Sequence, residues 1–242
     1  MRVTIHAEDD RITTTAKKIL GLPNDDPRVS RPLFGLTEAA RHLQLPPSTF
    51  RHWAIPDQGP SLIALRKPRG QEARVPFIGF AEAYVLACLR RAGVPMQRIR
   101  PAVKLLRKEI GLDYALASHQ LYTDGAEVVY DYAQSHPEEM LTVVRTGQQH
   151  FGAVIREYLQ PITYGNDGWA AMLRLPTYAE AQVVVDPQRA FGQPIVVHGG
   201  ARVEDLVDRF RAGDRIADIA DDFDVPEPEI EDVLRVALGP AA

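Results

Sequence analysis

The cations of this chain gather at one end and the anions at the other, and a two-helix pattern sits inside the cationic end. Residues 1–110 hold 19 Lys+Arg against 10 Asp+Glu, a formal +9, whereas residues 111–242 hold 9 against 22, a formal −13. Gly35–Ile55 reads GLTEAARHLQLPPSTFRHWAI, with apolar residues at helical spacing on both sides of Pro46-Pro47. That spacing predicts two helices joined by a tight turn. A field divided in this way suits a polyanion at one end and a different partner at the other. The other bulk properties are ordinary: 45% apolar and 25% charged residues describe a chain able to bury a core.

The predicted fold class is α+β, in four parts. Residues 1–32 are polar, break at Asn24-Asp25-Asp26-Pro27 and read as an N-terminal arm. Residues 33–110 read as a winged helix-turn-helix followed by a basic helical hairpin. Thr37 is the expected cap of the first helix, with Glu38 in its first turn and Ala39, Ala40 and Leu43 on one face. Ser48 is the expected cap of the second, whose Phe50, Trp53 and Ala54 fall at i, i+3, i+4 and leave Thr49, Arg51 and His52 pointing away. Leu62–Arg66 and Ala73–Phe77 are predicted strands, joined by Lys67-Pro68-Arg69-Gly70-Gln71 as a wing. A helix is predicted over Phe80–Arg91, and another from Pro95 through Ile110 with Arg98, Arg100, Lys104, Arg107 and Lys108 on its basic face.

Residues 111–185 read as a central mixed α/β region. Gln120–Thr123 and Ala126–Tyr130 flank the hairpin signal Asp124-Gly125, and Leu141–Val144, Trp169–Leu175 and Val183–Val185 are further predicted strands. A helical stretch is expected near Gln148–Leu159. Residues 186–242 read as a three-helix domain: Val203, Leu206, Val207 and Phe210 mark one helix, and Asp214 is the expected cap of the next. Pro226 and Pro228 open the third.

A helix that reads DNA must present short polar or basic side chains to base edges while neighbouring cations hold phosphates. Ser48, Thr49, Arg51 and His52 have that character, and Arg66, Lys67, Arg69 and Arg74 stand where a wing would meet the backbone or the minor groove. Residues 28–108 carry 15 basic residues against 4 acidic ones, a formal +11, which favours DNA over the alternative of a solvated basic surface. The stretch RIADIADDFDVPEPEIEDVL has the apolar spacing of a second helix-turn-helix. Residues 201–232, however, hold 12 Asp+Glu against 4 Arg, a formal −8 that repels phosphate, so a basic protein partner or plain solvation is the reading there.

Enzyme signatures are thin. The seven histidines are scattered with no HExxH or CxxC, and there is no P-loop, GxGxxG or GxSxG, so neither catalysis nor a metal or cofactor is expected. The Asp221-Asp222-Asp224 cluster lacks EF-hand spacing and reads as surface acidity. A single Cys88 within AYVLACL, no apolar leader and no run of membrane-spanning length predict a cytoplasmic protein that does not enter a membrane.

Three stretches carry a family resemblance. FGLTEAARHLQLPPSTFRHWA resembles the MerR-like helix-turn-helix at the front of certain bacterial antitoxins, and FIGFAEAYVLACLRRAGVPMQRIRPAVKLLRKEIG with LASHQLYTDGAEVVYDY resembles their middle. VVVDPQRAFGQPIVVHGGARVEDLVDRFRAGDRIADIADDFDVPEPEIEDVLRVAL is similar to their C-terminal domain of unknown function, although the usual Thr-Arg of its turn is replaced in Gly199-Gly200-Ala201-Arg202. The resemblance spans about residues 33–239. It implies a VapB-like type II antitoxin that neutralises a PIN-domain ribonuclease toxin and binds double-stranded operator DNA, with a homodimer expected on paired half-sites. A stand-alone MerR-like regulator without a toxin is the alternative.

Overall fold

The computed structural model describes residues 21–57, 59–66, 74–110, 113–119 and 157–239. The fold is mixed α+β: a helix-turn-helix in front, two antiparallel sheets and a C-terminal helical group.

Helix α4, Phe77–Arg91, is the hub, and every residue from Phe77 to Leu89 is buried. A helix apolar on all sides needs neighbours on all sides. Packed against it are α1 (Pro27–Ser30), β2 (Arg74–Pro76), α5 (Met96–Ile110), a 3₁₀ turn at Ala115–Ala117 and the strand β4 (Ala170–Arg174). Within the segment expected to be a loose arm, α1 is therefore docked. Val29 is 2% exposed, and Arg28 pairs with Asp26 at 2.9 Å and with Asp167 at 2.5 Å, which ties α1 to a distant turn.

The predicted pairing of Leu62–Arg66 with Ala73–Phe77 is corrected over Leu62–Leu65, which form no strand. β2 pairs antiparallel with β1, Pro32–Gly35, and Phe77 already opens α4. The stretch from Ser61 to Leu65 cannot lie in a ladder because its backbone groups are taken elsewhere. The Ser61 hydroxyl donates to the Ile63 carbonyl at 2.6 Å, Leu62 N–H donates to the Trp53 carbonyl at 3.0 Å, and Ala64 N–H donates to the Glu82 carboxylate at 2.7 Å. Leu62 and Ile63 plug the core instead.

Helix α2, Leu36–His42, begins after Gly35 rather than after Thr37, because Glu38 reaches back from inside the first turn and accepts the Gly35 N–H at 3.2 Å. It closes with Gln44 at φ 53. Gln44 N–H donates to the Arg41 carbonyl at 3.0 Å and Leu45 N–H to the Ala40 carbonyl at 2.9 Å, the Schellman pattern. Helix α3, Pro47–Ala54, follows with Pro46 as its cap residue, so Ser48 lies inside the first turn. Proline at the first helical position has no N–H to satisfy, which removes part of the need for a polar cap.

The larger sheet runs β3 (Ile162–Tyr164), β4 (Ala170–Arg174), β5 (Val183–Val185), β6 (Ile195–Val196), all antiparallel in sequence order. β4 and β5 fall where alternation and valine content place them; β3 lacks such a valine run and β6 is only two residues, so neither shows in the sequence. The predicted strands at Gln120–Thr123, Ala126–Tyr130 and Leu141–Val144 lie outside the described residues, as does all of the expected helix near Gln148–Leu159 except 157–159. The chain ends in α6 (Val203–Arg211), α7 (Ile216–Phe223) and α8 (Glu227–Leu238), which pack on one another. Asp214 does not cap α7. Arg215 holds that position, and the Asp214 carboxylate is drawn to the Arg209 guanidinium.

Candidate nucleic-acid interface

Helix α3 is amphipathic in the sense its spacing requires. Phe50, Trp53 and Ala54 are buried against α2, while Ser48, Arg51 and His52 are exposed and Thr49 is half-buried. The four predicted reading residues thus share the outer side of one short helix. Arg66 is exposed just beyond it in sequence. Arg74 begins β2, and Lys67 and Arg69 lie outside the described residues. Behind the head, the His42 ring packs between Phe34 and Phe80 at centroid distances of 5.0 and 6.4 Å. Burial pushes it down to about 4, so it is a neutral packing group and not a cation for DNA.

Two groups near the head were missed in the sequence. Arg100 of α5 donates to the His52 carbonyl at 3.5 Å and so touches the end of α3. Its place on a basic helical face was visible, but its contact partner, 48 residues away, was not. Glu82 left no signal at all, since one acid among the apolar residues of α4 reads as a solvent-facing position.

Cations at the two ends are treated differently. Among the described residues, Arg51, Arg66, Lys104 and Lys108 have no acidic partner. At the C-terminal end Arg202 pairs with Asp205, Arg209 with Asp214 and Asp222, Arg211 with Asp208, and Arg235 with Asp232. The front therefore leaves several of its cations open, whereas most arginines at the back are matched by an excess of acids.

The C-terminal pair α7–α8 repeats the turn of α2–α3 at a constant offset of 180 residues. Asp224 has φ 52 where Gln44 has 53, and Val225 N–H donates to the Ala220 carbonyl at 3.1 Å as Leu45 does to Ala40. Pro226 precedes α8 at φ −58, ψ 137, against −57, 133 at Pro46. The apolar positions Phe50, Trp53 and Ala54 become Ile230, Val233 and Leu234, all buried. The reading positions Ser48, Thr49, Arg51 and His52 become Pro228, Glu229, Glu231 and Asp232.

Two of these acids are turned onto the protein itself. Asp232, 1% exposed, accepts the backbone N–H groups of Glu180 at 2.8 Å and Ala181 at 3.1 Å. Glu229 meets His198 Nδ1 at 2.5 Å. The neighbouring Gly199 lies so close that a Cβ there would stand 1.9 Å from the Phe223 carbonyl oxygen, at a φ of +64. The Gly199-Gly200 turn is thus a brace for α7–α8. An acidic helix with part of its outer side spent on its own chain does not read a phosphate duplex.

Among the described residues no three His, Cys, Asp or Glu side chains converge as a metal site would need, and no helix is long and apolar enough to cross a membrane.

Residues 32–103 match the family described as "Putative DNA-binding HTH domain", and residues 183–237 match "Protein of unknown function (DUF433)". The chain is 42% identical over 226 residues to "Putative antitoxin VapB45" of Mycobacterium tuberculosis (strain ATCC 25618 / H37Rv), covering 86% of this chain and 94% of that protein. It is 27% identical over 218 residues to "Uncharacterized protein Rv2308" of the same strain, with 85% and 90% covered. The crystal structure of Rv2018 from Mycobacterium tuberculosis superposes with a TM-score of 0.72 at 39% identity, covering 86% of this chain and 99% of that one. A likeness this long, with the helix-turn-helix match in front and the domain of unknown function behind, places the chain in the VapB45-like family of helix-turn-helix antitoxins.

Proposed function

We propose that this protein is a non-enzymatic type II antitoxin that binds operator DNA through α2–α3 to repress its own operon, and neutralises a PIN-domain ribonuclease toxin through its acidic C-terminal helices. The observation that carries this reading is the pair of like-built helix-turn-helix units with opposite charge. One leaves its cations exposed, with no acidic partner among the described residues; the other is acidic and braced on the protein.

In this reading Ser48, Thr49, Arg51 and His52 face base edges from a MerR-like head, and Arg66, Lys67, Arg69 and Arg74 meet the backbone or the minor groove beside it. A homodimer supplies the second head for a two-fold site. A toxin that cuts RNA must itself attract a polyanion, so an acidic surface is suited to cover its cleft.

The test has two arms. Co-expression with the neighbouring gene product is expected to yield a stable complex that suppresses the partner's toxicity. DNA binding without any co-purifying partner assigns the chain to stand-alone regulation, and absence of both sinks the proposal. In the second arm, Arg51→Ala is expected to weaken operator binding by about 1–3 kcal/mol and to relax sequence preference at one base pair. Titration on operator and scrambled duplexes checks it: an equal loss on both would move Arg51 from the base edge to a phosphate.

A further inference from the structure

The link between the reading helix and the predicted wing is gripped from two helices that belong to neither. From α5, Arg107 donates to the Ser61 carbonyl at 3.1 Å and to the Leu62 carbonyl at 2.9 Å. From α4, Glu82 accepts the Ala64 N–H at 2.7 Å and meets Arg107 at 3.4 Å. One turn earlier on α4, Gly79 lets the Ala64 carbonyl lie against the helix, where a Cβ would stand 2.1 Å from that oxygen. Ser61 and Leu62 are also tied back to the Trp53 carbonyl at 3.3 and 3.0 Å, so the link hangs between the end of α3 and this pair. Two residues after Ala64 comes Arg66, exposed and without an acidic partner among the described residues.

We propose that Glu82 and Arg107 form a positioning pair that sets where Arg66 stands against DNA phosphates. The inference rests on the operator-binding reading above. A buried ion pair adds little net stability compared with apolar packing of the same volume, so its geometry is better suited to placing a loop than to holding a core. Glu82 is wholly buried, and its partners are the Ala64 N–H, in the segment that leads to Arg66, and the Arg107 guanidinium that holds the same segment by two carbonyls.

The pair is also sensitive to protons. Burial drives the Glu82 carboxyl up to about 7, against the pull of Arg107 and the Ala64 N–H. The other groups around it are Asp113, which raises it further, and Tyr114, whose phenol feels Glu82, Arg66 and Arg107 together. As pH falls through neutrality Glu82 takes a proton and the attraction to Arg107 weakens. As pH rises above it the grip is complete.

The test is the salt dependence of operator binding by the full chain at pH 6 and pH 8, with Glu82→Gln and Arg107→Gln beside wild type. Glutamine keeps the volume at position 82 and an acceptor for Ala64, but drops the charge. Wild type is expected to show a steeper slope of log K against log salt at pH 8 than at pH 6, by about 0.9 for one phosphate contact. Both variants are expected to fall below the wild-type slope at pH 8 and to match it at pH 6, with the ratio of operator to scrambled binding unchanged. Arg66→Ala should flatten wild type and add nothing in the Glu82→Gln background.

Comparing variant with wild type at each pH cancels every other titrating group. Variants with the wild-type slope and pH response, or Arg66→Ala effects that simply add, overturn the pair. Loss of fold in both glutamine variants assigns it to stability alone and overturns it equally. Wild type that binds no duplex at any salt overturns the operator reading instead.

Discussion

Trp53→Ala is expected to abolish operator binding by loosening the reading head, with no DNA contact removed. Trp53 is 2% exposed, sits on the inner side of α3, and its carbonyl anchors both Ser61 and Leu62. Truncating a buried tryptophan to alanine costs about 3–5 kcal/mol, through lost transfer energy and the cavity left behind. That is a large share of the roughly 5–15 kcal/mol that holds a domain folded. A melt followed by far-UV circular dichroism should show the midpoint falling by about 10 °C. Arg51→Ala, on the exposed side of the same helix, should leave stability within about 0.5 kcal/mol. A wild-type melting curve for Trp53→Ala would mean that packing of α3 on α2 does not hold the head.

Asp232→Ala carries the second large effect, at the opposite end. Its carboxylate is the acceptor for two backbone donors, Glu180 and Ala181, and pairs with Arg235 at 3.0 Å. The alanine variant leaves the buried Ala181 N–H and the half-buried Glu180 N–H without that acceptor, and an unmatched buried group costs about 1–3 kcal/mol. A combined loss of about 2–5 kcal/mol is expected in urea denaturation, with faster hydrogen exchange at the amides of residues 180 and 181. Asp232→Asn keeps an acceptor oxygen and should lose less. If the alanine variant matches wild type in both measurements, the acid is not what fastens α8 to the sheet. Either outcome bears on the toxin-binding proposal, because α8 carries the acidic surface on a helix that must stay docked.

Much of the candidate interface was legible. Helical spacing around Pro46-Pro47 and around Pro226 marked both helix-turn-helix units, because the contacts that make such turns join residues only three to five positions apart. The caps were not. Thr37, Ser48 and Asp214 were each expected to cap a helix, and each time the polar side chain lost to another solution: Glu38 from inside α2, proline at the head of α3, and the Arg209 guanidinium beside α7. The pairing of Pro32–Gly35 with Arg74–Pro76 was also hidden, since neither four-residue nor three-residue stretch alternates long enough to be told from a loop. The wing reading failed over Leu62–Leu65 for a different reason. Its backbone partners come from Trp53, Glu82 and Arg107, and no local pattern announces them.

By itself the amino-acid order determined that positive charge would gather around one two-helix turn and negative charge around a second turn of the same grammar. Charge and periodicity are summed along the chain, so folding does not alter them. Only the tertiary structure decided which outer side is left open. Glu229 and Asp232 are closed by partners 31 and 51–52 residues away, whereas Ser48, Arg51 and His52 meet solvent. Burial is a property of what packs against a surface, and that is decided by contacts between segments far apart in the chain.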